Sequence, residues 1–161
     1  MILNVVILAF VTLQRLGELW LSKRNTDRLI AQGAREHSPG HYPLIVGIHT
    51  AWLLALWLLA PFREVDGFWL AMFVAIEILR IWVLASLGPR WTTRIIILPD
   101  AELVRRGPYR FINHPNYLVV VSEILVLPLV FGLWQVALIF TLLNAAILTI
   151  RIRAENAALG R

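Results

Sequence analysis

The groups best equipped for chemistry crowd into one stretch, Leu103 to Tyr117: Leu-Val-Arg-Arg-Gly-Pro-Tyr-Arg-Phe-Ile-Asn-His-Pro-Asn-Tyr. Arg105, Arg106 and Arg110 supply fixed positive charge. Tyr109 and Tyr117 supply aromatic faces with hydroxyl tips, and His114 can accept or donate a proton. Gly107-Pro108 and His114-Pro115 are turn signals, because each Pro pushes the residue before it out of helical geometry. Asn116 and Tyr117 then enter an apolar run. The spacing therefore predicts a structured loop feeding a helix start, where free N–H groups and the positive dipole end favour anions. A second polar group lies on the last apolar segment. Arg151 and Glu155 are four apart and face the same way, and Asn144 sits seven before Arg151 on the same stripe. Taken alone, that pair reads as a snorkelling Arg and a solvated helical ion pair at a membrane boundary.

Gly107-Pro108-Tyr109-Arg110 followed by His114-Pro115-Asn116-Tyr117 resembles the signature of the isoprenylcysteine carboxyl methyltransferase family and its phospholipid methyltransferase relatives. The similarity runs from about Leu84 to Leu159, with a weaker stretch around Arg28 to His49. It looks closest to short bacterial members that O-methylate lipophilic polyketides such as alkylpyrones. The resemblance implies an integral membrane enzyme that uses S-adenosylmethionine. It implies a cofactor site built from Leu103, Val104, Gly107, Pro108, Tyr109, Arg110, His114, Pro115, Asn116, Tyr117 and Glu155. Arg-Ile-x-x-Glu from Arg151 to Glu155 is similar to the family's second signature, which ends in two adjacent acids. Here Asn156 follows Glu155, so the second acid is missing, and a role needing two carboxylates loses its support.

The elements that must position these groups follow from hydropathy. The chain of 161 residues is 59% hydrophobic, against about 45–50% in soluble domains. Apolar runs near the ~20 residues that span a bilayer cover about 2–21, 43–60, 68–87, 117–131 and 134–150. We expect an all-α integral membrane protein: one domain, 1–161, a bundle of five transmembrane helices, a cytoplasmic cofactor-binding loop and a C-terminal helical extension. Ile2 to Leu21 lacks the basic start and small-residue cleavage site of a signal peptide and carries Arg15 and Glu18. Lys23 to Ser38 reads as a polar loop with a short surface helix. Gly88 to Asn116 reads as a long polar segment with an extended patch at Ile95 to Leu98. Gly132-Leu133 separates the last two spans and predicts a tight helical hairpin.

The net charge of +5 belongs to membrane topology, not to nucleic acid. Lys23, Arg24, Arg28, Arg35, Arg90, Arg94, Arg105, Arg106, Arg110, Arg151, Arg153 and Arg161 fall after spans one, three and five, twelve in all; only Arg63 falls on the opposite side. Basic loops stay in the cytoplasm. The N-terminus is therefore expected outside and the C-terminus in the cytoplasm, with a bacterial inner (plasma) membrane as the location. The motif loop and the tail then share the face where a soluble cofactor is found.

Ionisable groups inside spans are costly and suggest function by default. Arg15–Glu18 reads as a neutralising pair, and Glu77–Arg80 repeats its spacing. Glu123 has no local partner and needs one on another helix, for which Arg80 is suited. His49 either meets that cluster or hydrogen-bonds between helices. No cysteine is present, which excludes thiolate chemistry and disulfides. The four histidines have no tight ligand spacing, so no metal is expected. Gly-x-Gly-x-x-Gly and a serine elbow are also absent.

The expected reaction is methyl transfer to an oxygen, carboxylate or acidic hydroxyl, of a lipophilic small molecule entering from the bilayer. Arg151, Glu155 and Glu123 are the candidate catalytic residues. A carboxylate acceptor needs no base; a hydroxyl draws on Glu155, Glu123 or His114. The other classes to weigh are a phospholipid amine N-methyltransferase and a non-catalytic membrane scaffold whose buried charges only pair helices.

Overall fold

The computed structural model describes residues 1–99 and 101–160. Five helices carry it: α1 (Ile2–Ala31), α2 (Tyr42–Leu59), α3 (Gly67–Leu87), α4 (Pro115–Val130) and α5 (Trp134–Ala158). Ile2–Ala31, Pro39–Leu59, Gly67–Arg90 and Trp134–Ala158 are long and apolar enough to cross a bilayer. The protein is an all-α integral membrane protein. α4 has only 16 residues, ~24 Å at the helical rise, with Pro128 in its last turn. It packs mainly against α3 and α5 and buries Glu123, Ile124 and Leu127 completely. A short helix sheltered by longer neighbours has less need to match the bilayer thickness.

Polar contacts hold the end opposite the motif loop. Asn4 is buried, and its Nδ2 donates to Ala60 O at 2.7 Å and to Arg63 O at 2.8 Å. Asp66 caps α3 by accepting from the N–H groups of Phe68 and Trp69, and its own N–H donates to Val130 O at 2.8 Å. The expected hairpin between α4 and α5 is closed by Leu133 N–H to Pro128 O and Gly132 N–H to Leu129 O, the paired bonds of a Schellman turn.

One boundary differs from expectation. Residues 23–31 are not a loop but the last turns of α1. Lys23 to Arg28 are polar yet contain no helix breaker, so the helix leaves the membrane and continues until Gly33, at φ 94°, ends it. Asn25 on this extension donates through Nδ2 to Trp91 O at 2.8 Å and pins the segment after α3. The expected extended patch pairs across the same region: β1 (Arg35–Glu36) and β2 (Ile96–Ile97) form a two-residue antiparallel ladder. Arg94 fixes it further, donating to Glu36 Oε1 at 2.7 Å, with its guanidinium 4.2 Å from the centroid of the Tyr42 ring. That bond to Glu36 holds the Arg94 pKa above its ordinary value.

The charges within the spans gather into one cluster. Arg80 donates to both oxygens of Glu18 at 2.8 and 3.0 Å and contacts Glu123. Arg15 reaches Glu123 at 2.7 Å and Glu18 at 3.4 Å. Gln14 donates to Glu77 at 2.7 Å. Three carboxylates and two guanidinium groups thus tie α1, α3 and α4 together in a place where unpaired charge would be costly.

Candidate active site

The motif loop is shaped by one close approach. Gly107 has φ 57° and sits under the end of α3, where a Cβ would fall 2.0 Å from Ser86 Oγ and 3.1 Å from Trp82 Nε1. Only glycine fits both the backbone angle and the space. Arg106 beside it donates through Nε to Ser86 O at 2.7 Å. A four-residue 3₁₀ turn, Gly107–Arg110, follows, with Pro108 buried. Pro115 then opens α4, where its missing N–H costs nothing.

This folding aims the polar groups into a cavity of 840 Å³ between the loop, the β1–β2 ladder region and the end of α5. Of the residues expected to bind cofactor, Leu103, Val104, Tyr109, Arg110, His114, Asn116, Tyr117 and Glu155 line it, together with Arg151. Gly107, Pro108 and Pro115 are not part of its wall; they set the backbone that carries the others. Glu123 is not brought here. It is fully buried in the ion cluster and lines neither this cavity nor the next.

At the junction of α4 and α5 the polar groups lock together. Arg151 Nε donates to the Tyr117 hydroxyl at 2.8 Å, and Arg151 Nη2 donates to Thr93 O at 2.6 Å. The Tyr117 hydroxyl in turn donates to Glu155 Oε2. His114 stacks on the Tyr117 ring with centroids 5.3 Å apart, and its Nδ1 lies 3.7 Å from Glu155 Oε2. His114 Nε2 lies 3.0 Å from Asn156 Oδ1. Asn156, where an acid was missing, therefore still provides an oxygen to the histidine. Tyr109 is half-buried in the same wall. Burial, and after it the Glu155 carboxylate, raises its hydroxyl pKa above the ordinary value.

A second cavity, of 440 Å³, lies between α1, α2 and α5 and is walled largely by apolar side chains, among them Leu16, Leu53, Trp57 and Ile147. Trp91, Asn116, Tyr117 and Arg151 line both cavities. The two spaces, one polar and one apolar, thus meet at the groups that Arg151 organises. Trp91 and Thr93 were not picked out from the sequence. The available signal was a tryptophan inside an otherwise polar segment, next to two threonines.

The profile of the isoprenylcysteine carboxyl methyltransferase (ICMT) family matches residues 69–161. Among curated proteins, the uncharacterized protein YpbQ of Bacillus subtilis is 37% identical over 158 residues, covering 95% of this chain and 94% of the relative. An uncharacterized protein of Haemophilus influenzae is 27% identical over 152 residues, covering 91% and 88%. No solved structure matches the chain. The family match covers the motif loop, the Arg151–Glu155 helix and the helices that join them, and with it the chain belongs to the isoprenylcysteine carboxyl methyltransferase family of membrane methyltransferases.

Proposed function

We propose that the protein transfers a methyl group from S-adenosylmethionine to an oxygen of a lipophilic acceptor that enters from the bilayer. The observation that carries this reading is the meeting of a polar and an apolar cavity at Trp91, Asn116, Tyr117 and Arg151. A water-soluble cofactor and a lipid-soluble acceptor each need their own entrance and one shared wall.

The donor set of the larger cavity fits the cofactor. Arg110 and Arg90 suit its carboxylate, Glu155 and Glu102 its ammonium, and Tyr109, Trp91 and Leu103 the adenine and the sulfonium surroundings. When bound, the cofactor supplies an electrophilic methyl group on a sulfonium. The protein's own residues supply position and proton transfer. Tyr117 Oη donates to Glu155 and accepts from Arg151, which leaves a lone pair for an acceptor hydroxyl. A hydroxyl proton can pass to Tyr117 Oη as the tyrosine proton passes to Glu155. Glu155 lines only the cofactor cavity, so its basicity acts through Tyr117. A carboxylate acceptor has no proton to lose and needs Arg151 alone for orientation. The cationic wall favours an anionic or acidic oxygen over an amine.

The twelve-to-one distribution of basic residues supports a cytoplasmic motif loop and C-terminus in a bacterial inner membrane. The test is methyl transfer from labelled S-adenosylmethionine by the purified protein in lipid nanodiscs, with an extract of lipophilic metabolites as the acceptor pool. Label on base-labile or enolic oxygen products is the expected result. Label on phospholipid amines would replace this reading with the N-methyltransferase. No label and no S-adenosylhomocysteine binding would remove the enzyme reading.

A further inference from the structure

The apolar cavity carries a belt of polar groups that the proposed reaction leaves unused. Arg15, His49, Trp52 and Asn144 all line it. Asn144 is 2% exposed and Trp52 is 1% exposed. Three of their donors, Arg15 Nε, Trp52 Nε1 and Asn144 Nδ2, have no hydrogen-bond partner among the described residues. The unpartnered acceptors nearby, on Gln14, Glu77 and Glu123, belong to residues outside the cavity wall. The surplus donors belong to residues of the cavity wall, and the surplus acceptors to residues outside it.

A buried donor without a partner costs stability, and more so where no water competes. Neither an arginine nor a tryptophan nitrogen can accept a hydrogen bond. The belt therefore calls for an oxygen with lone pairs, whichever way the Asn144 amide is turned against His49, whose Nε2 lies 3.4 Å from its Oδ1. The level of the belt is set by α5. Asn144 precedes Arg151 by two helical turns, which places it ~10 Å from the reactive wall. Leu53, Leu54 and Trp57 also line the cavity, and the Trp57 nitrogen is already satisfied by Thr12 at 3.0 Å.

We propose that this belt is a second recognition site for the acceptor: it selects a single-chain amphiphile that carries a carbonyl-type oxygen ~10 Å from its methylated group. The site rests on the assignment of the apolar cavity to the acceptor. The reactive head lies at Arg151 and Tyr117, the inner oxygen meets Arg15, Trp52 and Asn144, and the remaining alkyl chain reaches Trp57 or the lipid.

The test uses the full chain in lipid nanodiscs with S-adenosylhomocysteine present. The probes are hexadecanoic acid and its mid-chain keto analogue, with the carbonyl set ~10 Å from the carboxylate. Calorimetry should show the keto acid binding about tenfold tighter or more, the effect of one satisfied buried donor. Asn144→Leu and Trp52→Phe should each reduce that preference, read as the ratio of the two affinities within each variant, to about threefold or less. Leucine keeps the branched shape of asparagine but removes the oxygen facing His49 Nε2, and phenylalanine is smaller than tryptophan, so thermal unfolding of each variant reports whether it is folded. Equal affinity for the two acids in the unaltered protein overturns the belt as a recognition site, as does a preference that survives both substitutions. S-adenosylhomocysteine affinity, read in the same titrations, reports separately on the methyltransferase reading. Its absence beside an intact keto preference would sink that reading and leave the belt.

Discussion

Arg151 and Tyr117, on neighbouring helices and 34 positions apart, share a buried hydrogen bond of 2.8 Å from Nε to the hydroxyl, at the one wall common to both cavities. The bond is directional. By donating to the tyrosine, the guanidinium leaves the tyrosine proton for Glu155. The hydroxyl is thereby oriented without being consumed. The fork of Arg151 is also anchored at Thr93 O, so the side chain has little freedom. Such pre-set geometry is how a site gains rate from position alone.

If Tyr117 relays a proton, its removal should depend on the acceptor. Tyr117→Phe keeps the ring stacked on His114 and deletes only the hydroxyl. Turnover of a hydroxyl acceptor should fall ~100-fold or more, the usual scale of acid–base assistance. A carboxylate acceptor should lose much less. Glu155→Gln should show the same split, because it removes the terminal base. Measuring both acceptors with both variants decides the matter; equal losses on the two acceptors would mean that Tyr117 and Glu155 only build the pocket.

Much of this arrangement was legible before folding, and the illegible part has a physical cause. Hydropathy marks where the chain meets lipid, so all five helices were visible at their membrane stretches. It says nothing of a helix that continues into water, and so Lys23 to Ala31 looked like a loop until Gly33 was seen to end it. The Glu123 partner Arg80 was foreseeable because a lone buried carboxylate must find a cation. Arg15 was harder, since it has Glu18 three residues away and gives no sign that it also crosses to α4. The loop residues stood out through local turn chemistry. Trp91, Thr93 and Trp52 did not, because their roles come from packing between segments 25 or more positions apart in most cases, as with Trp91 and Asn116.

Gly107→Ala tests the close approach at the motif loop. The added methyl collides with Ser86, and alanine is strained at φ 57°. Together these should lower stability by ~1–3 kcal/mol and displace the turn that carries Tyr109 and Arg110. Thermal unfolding in detergent and S-adenosylhomocysteine titration should both register the change. Pairing it with Ser86→Gly removes the nearest side-chain atoms, so the double variant should regain part of the loss. An alanine variant as stable as the parent, with normal affinity, would refute the fit.

Glu123 should matter for stability and not for chemistry. It is wholly buried between Arg15 and Arg80 and touches neither cavity. Glu123→Ala removes the bonds that tie Arg15 and Arg80 to α4, while Glu18 and Glu77 still balance the two guanidinium charges, so the loss should be at most the ~3–5 kcal/mol of a broken buried pair. The melting temperature should drop sharply, while the folded fraction keeps its cofactor affinity and its turnover per active molecule. Loss of turnover at full stability would instead restore Glu123 as a catalytic base.

The orientation can be read from two reporter fusions. One is placed after Arg161 and the other within the turn between α2 and α3, near Glu64. Opposite compartments are expected, with the C-terminal fusion in the cytoplasm. Two reporters on the same side would mean that α3 to α5 together cross the membrane an even number of times.

The last prediction separates the charge of Arg151 from its shape. Lysine keeps the positive charge but has a single compact donor group in place of the planar fork. It cannot bond Tyr117 Oη and Thr93 O with the same spacing that Nε and Nη2 provide. If Arg151 served only as a membrane-boundary cation, Arg151→Lys would cost ~0–1 kcal/mol of stability and leave turnover intact. If its role is to hold Tyr117 and the acceptor in register, lysine should fail almost as badly as alanine. Loss of one placed, charged donor in a water-poor site typically lowers rates ~100- to 1000-fold. We expect Arg151→Ala to reach that range and Arg151→Lys to lose about tenfold or more, both as folded proteins. The loss should fall on kcat more than on S-adenosylhomocysteine affinity, since the polar cavity proposed for the cofactor keeps Arg110 and Arg90. A lysine variant with near-parental turnover would return Arg151 to a simple counter-charge and would remove the oriented hydroxyl from the mechanism.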